Sequence, residues 1–311
     1  MKQILPPATA IATLLGVLLL NACSDLKNNL PAPVAVQPVA HEAGWNDPAS
    51  ASFHGKYIMA HQWDLSACTR CHAQTFSGGT SGVSCASSGC HIDDQGTLKS
   101  PLACNTCHGQ FSAPAADTVS FAPPRSIAGD TSVNSPGVGA HGEHLVVGDL
   151  GRLVKCQECH TVPSQFSSPG HIAAGGRAIV AFHGSLSALA TEGGLVPAPA
   201  YESATNRCDN VYCHGDFRLT KAAAPTQYQY IFADSVMEGE NYSPLWNGGS
   251  TEGKCGSCHG LPPKGHLAPL SLTTCGNSGC HFGVVDADGN IMDPGKHING
   301  KIDIRGAELG Y

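Results

Sequence analysis

The chain has 311 residues, with 37 Gly and 21 Pro, 6% aromatic and 13% charged residues, and a formal charge of −7 with histidine neutral. So little aromatic and charged material among so many backbone breakers excludes an ordinary self-sufficient core of two or three domains. The absence of a basic stripe excludes a nucleic-acid binder. What is abundant is 15 Cys and 16 His. Both are ligand types, which points to a chain that folds around something other than its own side chains.

Residues 1–22 read as a signal peptide. Lys2 is followed by a mostly apolar run from Ala8 to Leu20, too short for a comfortable membrane span. The sequence Leu20-Asn21-Ala22-Cys23 resembles the lipobox of bacterial lipoproteins, in which Cys23 would be acylated and become the mature N-terminus; the alternative is an ordinary signal peptide with Cys23 left over. Acylation would give a firm membrane anchor, since stable attachment needs more than one chain. Residues 23–50, with Pro31, Pro33 and Pro38, read as a lipidated N-terminus and semi-extended tether. Ser24, where inner-membrane retention would place Asp, favours an outer-membrane lipoprotein facing the periplasm or the cell surface.

The other 14 cysteines form seven pairs, each ending in Cys-His. Four pairs enclose two residues: Cys68/Cys71 before His72, Cys104/Cys107 before His108, Cys156/Cys159 before His160, and Cys255/Cys258 before His259. Three enclose four: Cys85/Cys90 before His91, Cys208/Cys213 before His214, and Cys275/Cys280 before His281. Two thiols that add across the two vinyl groups of a haem, followed by a proximal His that reaches the iron, require this arrangement. Cysteines three apart share one face of a helical turn. The wider form must loop out two extra residues, and Gly89 and Gly279 supply freedom for that bend, with Tyr212 in the same place in the third. Disulfides need no His, zinc sites would use two pairs per ion, and a thioredoxin pair would occur once. The predicted cofactor is haem c, seven copies, covalently bound.

Nine histidines lie outside the motifs: His41, His54, His61, His141, His144, His171, His183, His266 and His297. Seven irons can therefore all be bis-His. Met59, Met237 and Met292 are the alternative far-side ligands, and Met would raise the potential. The predicted distal set is His54, His61, His141, His144, His171, His266 and His297, with His41 and His183 as spares.

Only 12 residues separate His72 from Cys85, and 12 separate His91 from Cys104. The motifs divide the chain into a three-haem module over 51–125, a one-haem module over 126–200 and a three-haem module over 201–311. Segments 112–140 and 185–206 read as extended connectors. Cys-His-Gly at 107–109, 213–215 and 258–260, Ser-Gly-Cys-His at 88–91 and 278–281, and Phe-His-Gly at 53–55 and 182–184 mark a degraded internal repeat. Apolar periodicity is weak. The predicted fold is mostly irregular coil with short helices and few short strands around a buried multihaem core, with no regular sheet or bundle.

At these residues the chain resembles the multihaem cytochromes of metal-reducing bacteria such as Geobacter and Desulfuromonas, which mix both motif lengths. The resemblance is closest from Cys208 through Gly215, Pro244-Leu245-Trp246, Cys255 to Pro263, His266, and His297-Ile298-Asn299-Gly300. Gly78-Gly79 and the segment from Gly139 to His144 also fit it, whereas Ala73 stands where the family has Gly after Cys-His. The resemblance implies distal roles for His266 and His297. It also implies electron transfer in the cell envelope toward extracellular acceptors such as iron or manganese oxides, with other multihaem cytochromes, or an outer-membrane porin-cytochrome complex, as partners. An electron relay needs no substrate pocket, so no catalytic residue is predicted. The alternatives are a subunit of a polymerising cytochrome filament, and a multihaem reductase of a small oxyanion with one open iron.

Denaturing mass spectrometry of the exported protein should show seven haem increments on the polypeptide. Replacing Cys104 and Cys107 together with Ala should remove one of them.

Overall fold

The computed structural model describes residues 40–86, 89–121, 123–172, 177–268, 272–277 and 279–310. The signal peptide, Cys23 and most of the tether lie outside these residues. The chain divides into two compact units, Met1–Ala60 and His61–Tyr311.

In the first unit the described part is a series of turns leading into α1 (His54–Ala60). Trp45 organises it. Its ring stacks on His41 at 4.5 Å and packs on Tyr57 at 5.2 Å, and its carbonyl accepts from His54.

The second unit carries two short helices, α2 (Ser66–His72) and α3 (Leu272–Asn277), among 3-10 turns and coil. A π-turn spans Glu143–Val147. Among its described residues six strands form three separate antiparallel hairpins: β1 (Ala200–Glu202) with β2 (Arg207–Asp209), β3 (Arg218–Thr220) with β4 (Val236–Glu238), and β5 (Lys301–Ile304) with β6 (Ala307–Gly310). Among the described residues no hairpin joins another into a larger sheet, and no helix is long and apolar enough to cross a membrane. The fold is therefore the irregular one that the composition predicts.

The elements follow local chemistry. The Asp64 carboxylate accepts from Ser66 N–H at 2.8 Å and starts α2, the one motif in which both cysteines ride on an α-helix. In the second and third short motifs the turn tightens to 3-10, over Cys104–Thr106 and Cys156–Glu158. After two of the long motifs the chain makes the same seven-residue hairpin. Ile92 bridges Leu98 while Asp93 accepts from the N–H groups of Gln95 and Thr97. Val285 bridges Ile291 while Asp286 accepts from those of Asp288 and Asn290. The internal repeat thus extends past Ser-Gly-Cys-His into an aspartate-centred turn.

Protein-only packing is sparse. The one cluster of buried side chains among the described residues is Leu219, Phe232 and Met237, between β3, β4 and the turn before β4, with Phe217, Ile231 and Ile302 against it. Phe111, Leu153, Ile179, Leu267 and Phe282 remain exposed, so much of the apolar surface does not face other protein atoms.

Leu219→Ala should cost about 2–5 kcal/mol. Amide exchange should rise within residues 217–238 and leave the segments around the other motifs unchanged.

Candidate functional site

Where two extra residues separate the thiols, the backbone passes through the left-handed region. Gly89 has φ +72° and Gly279 φ +81°, as the bend predicted from sequence requires. In the third long motif Tyr212 does not take this role. Asn210 does, at φ +54°, its side chain accepting from Asn241 at 3.0 Å. Asn is the ordinary residue that best tolerates this conformation, so the signal was present two positions upstream of Tyr212.

None of the 14 motif cysteines is disulfide-bonded. Burial pushes the Cys159 and Cys213 thiols up to about 12 and those of Cys208 and Cys258 up to about 11, and it raises Cys107 as well. Thiolate sites lower these values with nearby positive charge. Among the described residues no three His, Cys, Asp or Glu side chains converge to hold a bare ion. These five thiols are held in the neutral form, the form that adds to a vinyl group in thioether attachment.

Cys71, Cys90, Cys104 and Cys255 are exposed, one member of the pair in each of four motifs, while their partners Cys68, Cys85, Cys107 and Cys258 are half-buried. At Cys71, which lies near the end of α2, the following loop covers the backbone, the Thr80 hydroxyl donating to the Cys71 carbonyl at 3.4 Å. Cys90 follows the Gly89 bend, and a Cβ on that glycine would meet open space, so the bend bulges away from the surrounding chain. An exposed thiol remains compatible with the predicted chemistry, because the vinyl groups lie on the edge of the ring and one edge can face solvent while the other is enclosed.

The histidines share one device. Nδ1 of His72 meets the Val83 carbonyl, His108 meets Phe121, His160 meets Ile179, His259 meets Gly260 and His281 meets Asp303, at 2.8–3.2 Å. Among the distal candidates, His54 meets Trp45, His141 meets Val138, His144 meets Ala140, His171 meets Phe166 and His266 meets Leu267, at 2.7–2.9 Å, and His297 meets Leu150. A carbonyl only accepts, so Nδ1 carries the proton in each pair. Burial holds His141 and His214 down to about 4 and depresses His108, His281 and His297, keeping these rings neutral. A neutral ring with its proton on Nδ1 presents the Nε2 lone pair, the form that binds a metal. His183 is different. Its Nε2 is engaged by the Thr161 hydroxyl at 2.7 Å.

Three pairs of imidazoles lie at one common separation: His160 with His141, His214 with His144, and His259 with His297. The ring centres are 6.2 Å apart in every pair. Two imidazoles on opposite sides of one iron, each nitrogen about 2 Å from the metal and each ring centre about 1 Å further, stand about 6 Å apart. Each pair joins a motif histidine to one outside the motifs. His171 lies near enough to His108, and His266 to His281, to disfavour their protonation. His54 lies in the first unit against Phe53 and Trp45, and His61 opens the second. The residues present therefore fit haem, which supplies a one-electron couple at its iron.

Several motifs that follow one another in sequence lie near one another. Cys85 neighbours Cys68, His108 neighbours His141, and Cys208 neighbours Cys159. His91 packs on Phe111, just beyond the Cys104/Cys107 motif, at 6.0 Å. Glu240 and Asn241 tie the next two motifs by donating to the carbonyls of Cys258 and Gly215, at 2.9 and 3.1 Å. Strand β5 supplies the Asp303 carbonyl to His281, and Arg305 N–H donates to Cys280 at 2.7 Å. Sequence reading missed the carbonyl acceptors, which no side chain announces. It also missed Glu158, which accepts from Leu186 and Ser187 N–H and so fixes the third short motif to a connector.

Residues 207–259 match the family described as the Geobacter CxxxxCH...CXXCH motif. This segment contains the Cys208/Cys213 and Cys255/Cys258 motifs with both proximal histidines. No curated protein and no solved structure matches the chain. The match covers 53 of the 311 residues and, with its two cysteine-cysteine-histidine motifs, supports a multihaem c-type cytochrome-like protein with covalently bound haem c and electron transfer as its role.

Proposed function

We propose that the protein is a seven-haem relay in which every iron is bis-His, passing electrons along the order of its motifs across the bacterial cell envelope. The observation that carries this reading is the recurrence of one imidazole separation, 6.2 Å, in three pairs that each join a motif His to a distal candidate. The pairs are His160/His141, His214/His144 and His259/His297, with His171 serving the iron of His108 and His266 that of His281. His54 and His61 are the remaining distal candidates. Six-coordinate irons favour electron transfer over binding of small substrates. The lipobox at Cys23 supports an outer-membrane anchor, and the resemblance to metal-reducing cytochromes supports multihaem partners and extracellular acceptors such as metal oxides.

The test is the visible spectrum of the dithionite-reduced protein before and after carbon monoxide. Low-spin bands that do not move support seven closed irons; a shift of about one haem in seven in the native protein overturns the bis-His relay. His171→Gly should open one iron and make one seventh of the haem responsive to carbon monoxide, whereas His183→Ala should leave the spectrum closed.

A further inference from the structure

One side chain touches the distal ligands of two neighbouring motifs. The Trp246 indole meets the His141 ring edge-on at 4.7 Å and 88°, and the His144 ring at 5.9 Å and 31°. It is fixed on both sides. Its Nε1–H donates to the Pro136 carbonyl at 2.8 Å, its backbone N–H to Asn206 at 2.7 Å, and the neighbouring Asn247 amide to the Asn134 carbonyl at 2.8 Å. The loop beneath admits no side chain, because Gly139 has φ +48° and a Cβ there would strike the indole nitrogen. With Nδ1 already held by Val138 at 2.7 Å, the His141 ring is fixed by its own hydrogen bond and by the indole face.

The ring planes make this consequential. His141 and His160 are inclined by only 20°, whereas His144 and His214 are inclined by 62°, and His259 and His297 by 74°. Axial rings with parallel planes donate into the same iron orbital and split it from its partner. Crossed rings donate one into each and leave the two nearly equal. We propose that Trp246 is a positioning residue that holds His141 parallel to His160, giving the iron of the Cys156/Cys159 motif an electronic structure unlike those of the two motifs that follow it. The proposal rests on the His160/His141 pairing of the relay reading. It adds a cause for the ring angle, acting through a group that touches no metal.

The experiment is low-temperature electron paramagnetic resonance of the fully oxidised seven-haem protein and its variants, with haem content checked by mass. The native spectrum should contain a rhombic low-spin component beside the strongly axial signals of crossed rings. His141→Met should abolish that component; if it persists unchanged, the pairing itself fails. With the pairing sound, Trp246→Ala and Gly139→Ala should shift the rhombic component toward axial values while the other signals stay in place, and Trp246→Phe should shift it less. A rhombic component that stays unmoved in all three variants, or that is missing from the native protein, overturns the role of Trp246. Should Trp246→Ala fail to accumulate, Trp246→Phe and Gly139→Ala decide the question by the same criterion.

Discussion

The hydrogen bond from imidazole Nδ1–H to a backbone carbonyl is the interaction on which the arrangement turns. Eleven of the fourteen predicted ligand histidines make it. It fixes three properties together: which nitrogen carries the proton, which way the ring faces, and which stretch of backbone must lie behind the ligand. In a chain with one small apolar cluster, the last is the most consequential. The segments around Val83, Phe121, Ile179 and Asp303 pass where they do to place a carbonyl behind a ring. His214 is different: its Nδ1 is buried without an acceptor, so that imidazole receives less electron density from its surroundings than its counterparts do.

This division of labour accounts for the composition. A chain that wraps rigid flat groups needs sharp local bends, close approach and many exposed carbonyls, and gains little from long periodic elements. Hence the short hairpins, the 3-10 turns at motifs that an α-helix could have served, and the apolar side chains left facing away from other protein atoms. Raised thiol and lowered imidazole protonation share one cause, burial without compensating charge.

Much of this was legible in the sequence because the chemistry is local. The spacing of cysteine, cysteine and histidine is a covalent requirement read within a few residues, and the weak periodicity correctly announced an irregular fold. The bend supplied by Gly89 and Gly279 was also legible; its counterpart falls at Asn210, two positions before the aligned Tyr212. Which thiol of a pair is enclosed was not legible, since the spacing is blind to what packs around it. Resemblance suggested a distal role for His297, but not its pairing with His259, 38 positions away, which depends on the Leu150 carbonyl from a distant loop. Trp246 was visible only as part of a familiar segment. What it touches depends on a loop about a hundred residues earlier in the chain.

His141 and His144 lie on consecutive turns of the same short segment, three residues apart, and neighbour two different motif histidines. In the proposed pairing, a single stretch of backbone therefore grips two redox centres at once. Breathing of the surrounding coil would carry both centres together and leave their separation unchanged. Tunnelling rates fall steeply with distance, so the step between these two is buffered against thermal motion by a span no longer than one helical turn.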